Sequence, residues 1–230
     1  MNILTLSSPK YEEEKILDLI KDSKKVTDLK KADLVVFTGG NDISPHIYNS
    51  KNRKLCGTPH LSRDIYEIMM FKIAKQRGVP VLGICRGAQL LSCLSGHSLY
   101  QHVNNHCSNN HLVQTAFHGN YKVIPIPGDH HQMMKLDYHL QNKKGYKFEL
   151  LGWAKKSSNS AKSNFVNSKI ATEFFDENGQ ETKMPFYEPE IVNFIDNKAL
   201  AIQGHPEWGL NNKLLTNFTN QLIEKTLFTT

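Results

Sequence analysis

The stretch that most limits what this chain can fold into runs from Val79 to Leu91, Val-Pro-Val-Leu-Gly-Ile-Cys-Arg-Gly-Ala-Gln-Leu-Leu. Val79, Val81, Leu82 and Ile84 form an apolar run, and Leu90, Leu91 and Leu94 follow at helical spacing. A buried strand therefore leads through a tight turn into a helix, with Cys85 at the turn. Gly83 and Gly87 stand two residues to either side of that cysteine. Gly-Ile-Cys-Arg-Gly is the cysteine counterpart of the nucleophile elbow, a turn too sharp for side chains beside the nucleophile. A thiolate there meets a helix N-terminus, whose N–H groups and dipole favour an anion. For this stretch alone, a buried structural cysteine is the competing explanation.

Ala199 to Trp208, Ala-Leu-Ala-Ile-Gln-Gly-His-Pro-Glu-Trp, decides between the two. A thiol nucleophile needs a general base, and the base needs a group that fixes its tautomer. His205 and Glu207 are two residues apart, so in an extended segment both side chains leave on the same face. Pro206 stiffens the link between them. Cys85, His205 and Glu207 are thus the expected catalytic residues.

Together these segments give the chain a resemblance to the class I (triad-type) glutamine amidotransferases, and among them to gamma-glutamyl hydrolases of the gamma-glutamyl-gamma-aminobutyrate hydrolase type. The residues that carry it are Thr38 to Asp42 with Pro45 and Tyr48, Arg63-Asp64 with Glu67, Gly83 to Gln89, His130-His131-Gln132, and Gly204 to Glu207. The resemblance implies an oxyanion hole from the backbone N–H groups of Gly40 and Arg86, with Gly39 allowing the geometry. It also implies substrate contacts from Gln89, from His131 with His130 beside it, and from Asp42 in a loop where Pro45 and Tyr48 border the pocket. An Arg63 link to Glu67 or to the diglycine loop is preferred here to direct substrate contact.

The implied reaction is cleavage of a gamma-glutamyl amide, in glutamine or a conjugate, through a glutamyl thioester, with no metal or organic cofactor. The alternative is a glutaminase subunit that hands ammonia to a separate synthase partner. A catalytically silent binding module is disfavoured because every triad position is filled.

The expected fold is α/β: a doubly wound, mostly parallel central sheet with helices on both faces, flavodoxin-like. Leu34 to Phe37 reads as a buried strand ending in Gly39-Gly40, and the helix Arg63 to Arg77, capped by Ser62, presents Ile65, Ile68, Met69 and Ile73 as its apolar stripe. Tyr11 to Ile20 and Asn211 to Phe228 read as further amphipathic helices, the second facing inward through Leu214, Leu215, Phe218, Leu222 and Ile223. Two strands around His118-Gly119-Asn120 suggest a hairpin, and Lys155 to Lys169 a mobile loop.

Residues 1–230 are expected to form one domain. The chain lacks an apolar run of about 18 residues and a basic-then-apolar leader, so no membrane association and a cytoplasmic location are expected. Cys56, Cys85, Cys93 and Cys107 have no paired spacing, which suits reduced thiols. The net charge of +6 comes from scattered lysines without interleaved aromatics, which argues against nucleic-acid binding. His97, His102, His106, Cys107, His111 and His118 are concentrated in one segment. His102, His106 and Cys107 would reach a common metal from successive helical turns, but the segment shows no accompanying carboxylates and is not expected to bind one.

Overall fold

The computed structural model describes residues 1–7, 9–51, 54–107, 109–154, 171, 173–183 and 185–229. The expected mobile loop Lys155 to Lys169 lies outside them. The central sheet has nine strands, in the order Lys24–Lys25, Asn2–Leu6, Leu34–Phe37, Val81–Ile84, Ala199–Ile202, Pro189–Phe194, Phe148–Ala154, Asn109–Phe117 and Asn120–Gly128. The first five are mutually parallel. The other four extend the sheet antiparallel, beginning where Pro189–Phe194 returns beside Ala199–Ile202. The last pair is the expected hairpin, turning at His118 and Gly119, both at positive φ.

The inner parallel strands Leu34–Phe37, Val81–Ile84 and Ala199–Ile202 are buried on both faces, and their residues alternate between two cores. Val35, Phe37 and Val81 face Phe71, Ala74 and Leu91, from helices α2 (Leu61–Arg77) and α3 (Arg86–Leu94). Leu34, Val36 and Leu82 face Ile16, Leu19, Leu215, Phe218 and Leu222, from α1 (Lys10–Leu19) and α4 (Lys213–Ile223). Helices therefore cover both faces of the sheet, as expected. Among the described residues, no helix is long and apolar enough to cross a membrane.

Three helix expectations need correction. The buried face of α2 is Asp64, Glu67, Phe71 and Ala74, whereas Ile65, Met69 and Ile73 are exposed. The apolar periodicity was genuine but faces water, because the inward face carries charges with buried partners. Ser62 lies inside α2 rather than at its cap, which is His60. In α4 the N-cap is Asn212, whose side chain accepts from the N–H groups of Leu214 and Leu215, and Leu214 points outward.

The register explains why the chemistry collects at one edge. Phe37 lies opposite Gly83, and Ile84 opposite Ile202, so three adjacent parallel strands end level with one another. Their continuations carry Gly39-Gly40, Cys85, and His205. The C-terminal edge of an open parallel sheet is where such folds place ligands.

The elbow requires its glycines. A Cβ on Gly83 would lie 2.6 Å from the carbonyl carbon of Gly87, and one on Gly87 would lie 2.6 Å from the carbonyl carbon of Phe37. Backbone on both sides leaves no room for adjustment, and overpacking of this kind costs about 1–3 kcal/mol or more. Gly87→Ala is expected to lower the unfolding free energy by about 2 kcal/mol or more, measured by urea denaturation. Gly119→Ala, whose Cβ would meet nothing within 4 Å, serves as the backbone-strain control.

Candidate active site

Cys85 sits between the strand Val81–Ile84 and α3 at φ 52°, ψ −110°, a backbone conformation that non-glycine residues seldom adopt. Its N–H donates to the carbonyl of Ile202 at 2.8 Å, and its carbonyl accepts from the N–H of Gln89 at 3.1 Å. The strained turn is therefore held from both sides. Arg86 opens α3, so its N–H is among those that a helix leaves without an intrahelical acceptor.

His205 and Glu207 meet as their spacing predicts: Nδ1 of the ring lies 2.7 Å from Oε1 of the carboxylate, and both residues are buried. The other side of the ring interacts with Cys85. Burial alone would pull His205 down, but Cys85 and Glu207 outweigh it and push its pKa up to about 10. The ring is sandwiched on its open face by Trp208, with centroids 3.7 Å apart and planes 3° from parallel. The sequence displays Trp208 beside the dyad, but nothing in the spacing marks it as a stacking partner. Pro127 fixes the approach of the segment by accepting from the N–H of His205 at 2.6 Å.

Gly39 lies against this pair, where an added Cβ would stand 2.9 Å from Cε1 of His205 and 3.8 Å from Cβ of Cys85. Gly40 follows at φ +136°, and a side chain there would strike the guanidinium of Arg63. That guanidinium donates to the carbonyls of Thr38 and Gly39 at 3.2 and 2.9 Å and to Glu67 at 2.8 Å. Both links preferred from the sequence are present. Glu67 and Asp64 in turn receive the buried guanidinium of Arg86, and Asp64 accepts from the N–H of Ser44 at 3.0 Å. Two arginines and two acids thus tie the diglycine loop, α2 and the first turn of α3 into one unit.

The remaining expected residues divide into two groups. Asp42 and His131 come together, with Nε2 of the ring 3.1 Å from Oδ2. Asp42 also accepts from the N–H of Gly57 at 2.6 Å. The Asp42 hydrogen bond raises the pKa of His131 against the effect of burial. The acid that the structure places on His131 comes from across the fold. Nδ1 of His131 faces Nδ1 of His102 at 3.4 Å. Gln89 and His130 are more deeply placed. The Gln89 amide donates to the carbonyl of Gln132 at 2.9 Å, which ties α3 to the histidine segment. His130 is buried and directs Nδ1 to the same carbonyl at 2.9 Å. Tyr48 belongs to the apolar core, and its hydroxyl receives a hydrogen bond from Gln101 at 3.2 Å.

The metal-ligand set considered from the sequence is not assembled. The segment is not helical: His102–Val103 is a short strand, His102 faces His131, and Cys107 is exposed. His97 is a core histidine whose pKa burial pulls down to about 4, and its Nδ1 accepts from the N–H of Asp137 at 3.1 Å.

A family profile, Peptidase C26, matches residues 16–207. The chain belongs to the Peptidase C26 family. Over 90 residues, 39% of this chain and 38% of the relative, it is 32% identical to the gamma-glutamyl-CDP-amidate hydrolase of Campylobacter jejuni. It is 24% identical to the gamma-glutamyl-gamma-aminobutyrate hydrolase of Escherichia coli O157:H7, over 82% of this chain and 69% of that one. Relatives of 40–42% identity are matched over only 29–40% of their own length. The crystal structure of a Thermotoga maritima glutamine amidotransferase shares the fold, with a TM-score of 0.55 at 15% identity over 100% of this chain and 86% of that one.

Two outcomes follow for this Peptidase C26 chain. Arg86→Met leaves Asp64 buried without its cation and Glu67 with Arg63 alone, and is expected to cost about 3–5 kcal/mol in denaturant unfolding. The raised pKa of His205 makes its stabilising contribution complete below the ordinary histidine value of about 6.5. That contribution is lost as pH rises toward 10. The unfolding free-energy difference between wild type and His205→Gln is therefore expected to shrink steadily from pH 6.5 to 10, followed by denaturation at fixed ionic strength.

Proposed function

We propose that the chain hydrolyses a gamma-glutamyl amide through a glutamyl thioester on Cys85. The observation that carries this reading is Cys85 on a strained elbow beside the hydrogen-bonded His205–Glu207 pair. The sulfur attacks the gamma-carbonyl, and the N–H groups of Gly40 and Arg86 receive the developing oxyanion. The tetrahedral intermediate collapses, breaking the C–N bond while His205 gives its proton to the departing amine. Water then attacks the thioester with His205 as base, releasing glutamate and restoring the thiol. Glu207 keeps the imidazole oriented throughout.

The leaving group is the open part of this reading. Two relatives are named for gamma-glutamyl conjugates, one of a nucleotide amidate and one of gamma-aminobutyrate. This supports a substituted amide rather than free glutamine as the substrate. The Asp42–His131 pair borders the loop that follows the diglycine, and the raised pKa of His131 suits it to bind a carboxylate of the substrate.

Glutamate release by the purified chain tests the proposal, with L-glutamine and a panel of gamma-glutamyl amides as substrates. Turnover of a substituted amide is expected, abolished in Cys85→Ala and lowered about 10²–10⁴-fold in kcat by Glu207→Gln. Equal activity in wild type and Cys85→Ala would contradict the mechanism, and silence on the whole panel until a synthase is added would favour the glutaminase alternative. His131→Ala is expected to raise KM about tenfold with a smaller change in kcat, the loss of one charge-assisted hydrogen bond.

A further inference from the structure

Beside the candidate active site lies a second cluster of titratable side chains, and the proposed reaction does not use it. His106, His130 and Glu190 are all buried, and one ligating atom from each lies within 4.8 Å of the others. They come from three separate places: the segment after His102–Val103, the turn after Asn120–Gly128, and the strand Pro189–Phe194. Glu188, from the same strand end, is also buried.

The hydrogen bonds assign the ring nitrogens. Nε2 of His106 lies 2.7 Å from Oε2 of Glu188, an acceptor, so that nitrogen carries hydrogen. Nδ1 of His130 lies 2.9 Å from the carbonyl oxygen of Gln132, so it too carries hydrogen. In neutral rings the remaining nitrogen of each is then a lone-pair donor. Nδ1 of His106 faces Oε1 of Glu190 at 3.6 Å. Neither carboxylate oxygen of Glu190 has a hydrogen-bond partner among the described residues, although both are buried. Two imidazole nitrogens and a buried carboxylate thus converge, and Glu188 adds a second buried acid beside them. A cation at their meeting point would neutralise that buried charge.

We infer that His106, His130 and Glu190 bind a divalent metal ion of the zinc class. Two imidazoles and a carboxylate form a three-ligand nitrogen–oxygen set suited to such an ion, with water in the fourth position. The 3.6 Å between His106 and Glu190 matches the edge of a tetrahedron at ordinary zinc–nitrogen and zinc–oxygen lengths, roughly 3.3–3.6 Å. Glu188 and the Gln132 carbonyl supply the outer hydrogen bonds that orient metal-ligating histidines. The ion neutralises the two buried glutamates. Its role is to pin the His130–Gln132 segment to the end of Pro189–Phe194, where the Glu190 carbonyl accepts from Gln203, two residues before His205.

The test is cobalt titration of the chelator-stripped Cys85→Ala protein, which removes the active-site thiol as a competing ligand. Saturable binding of one Co²⁺ per chain is expected, with visible bands of a tetrahedral nitrogen–oxygen site and no sulfur-to-cobalt absorption. Zn²⁺ should displace the cobalt and raise the thermal midpoint. Adding Glu190→Gln is expected to weaken cobalt binding more than tenfold, and Glu188→Gln about 10–100-fold. If Glu190→Gln does not fold, Glu188→Gln decides, and unchanged affinity there overturns the inference. The inference also fails if the Cys85→Ala protein takes up no cobalt, if sulfur is a ligand, or if Glu190→Gln binds as tightly as its parent. Absence of uptake would mean that a proton neutralises the cluster.

Discussion

The fold depends on one close approach of backbone to backbone. Gly83, Gly87 and the carbonyl of Phe37 pack so tightly that no Cβ fits between them, which brings α3 down onto the ends of two parallel strands. Only with that approach does Cys85 take its positive φ and point out of the sheet edge while its own N–H and carbonyl stay hydrogen-bonded. The strain in a single residue is tolerated because the surrounding core determines its position from every side. The sheet register then decides what the sulfur meets, because strands ending level with the elbow deliver Gly39 on one side and His205 on the other.

Beneath the elbow the interior is charged. Arg86 is the largest fully buried side chain among the described residues, yet its guanidinium lies between the carboxylates of Asp64 and Glu67. A buried ion network contributes less to stability than apolar packing of equal volume, but breaking it is costly. Its geometric effect is to fix the first turn of α3 and, through Arg63, the carbonyls of Thr38 and Gly39. Backbone N–H groups proposed to meet a developing oxyanion need this kind of rigid support, since preorganisation is what gives such groups their effect.

Much of this was legible in the sequence because it is written in short segments. The elbow, the strand ending in Gly39-Gly40 and the His205–Glu207 pair each declare themselves within about ten residues, through apolar runs, glycines and a two-residue spacing. What was not legible joins distant positions. The stripe of Ile65, Met69 and Ile73 looked like a core face, since periodicity alone cannot reveal that Asp64 and Glu67 have a buried arginine waiting for them. The acid of His131 is Asp42, far away in the chain, and the partners of His106 are Glu188 and Glu190. Neither acid lies within the histidine-rich segment itself. In the antiparallel half of the sheet the hairpin around His118-Gly119-Asn120 was legible, but the order in which the strands join the sheet was not, because that order is a property of the fold rather than of any strand.

The sulfur of Cys85 is the atom proposed to become acylated, and the most direct measurement is to look for the acyl group. Purified protein would be mixed with a turned-over gamma-glutamyl amide, quenched in acid within the first turnovers, digested and mapped by mass spectrometry. A glutamyl adduct on the peptide containing Cys85, absent when hydroxylamine precedes digestion, is the predicted result. Continued release of glutamate with Cys85 unmodified at every quench time, and no adduct in a variant slowed in the second step, would contradict it.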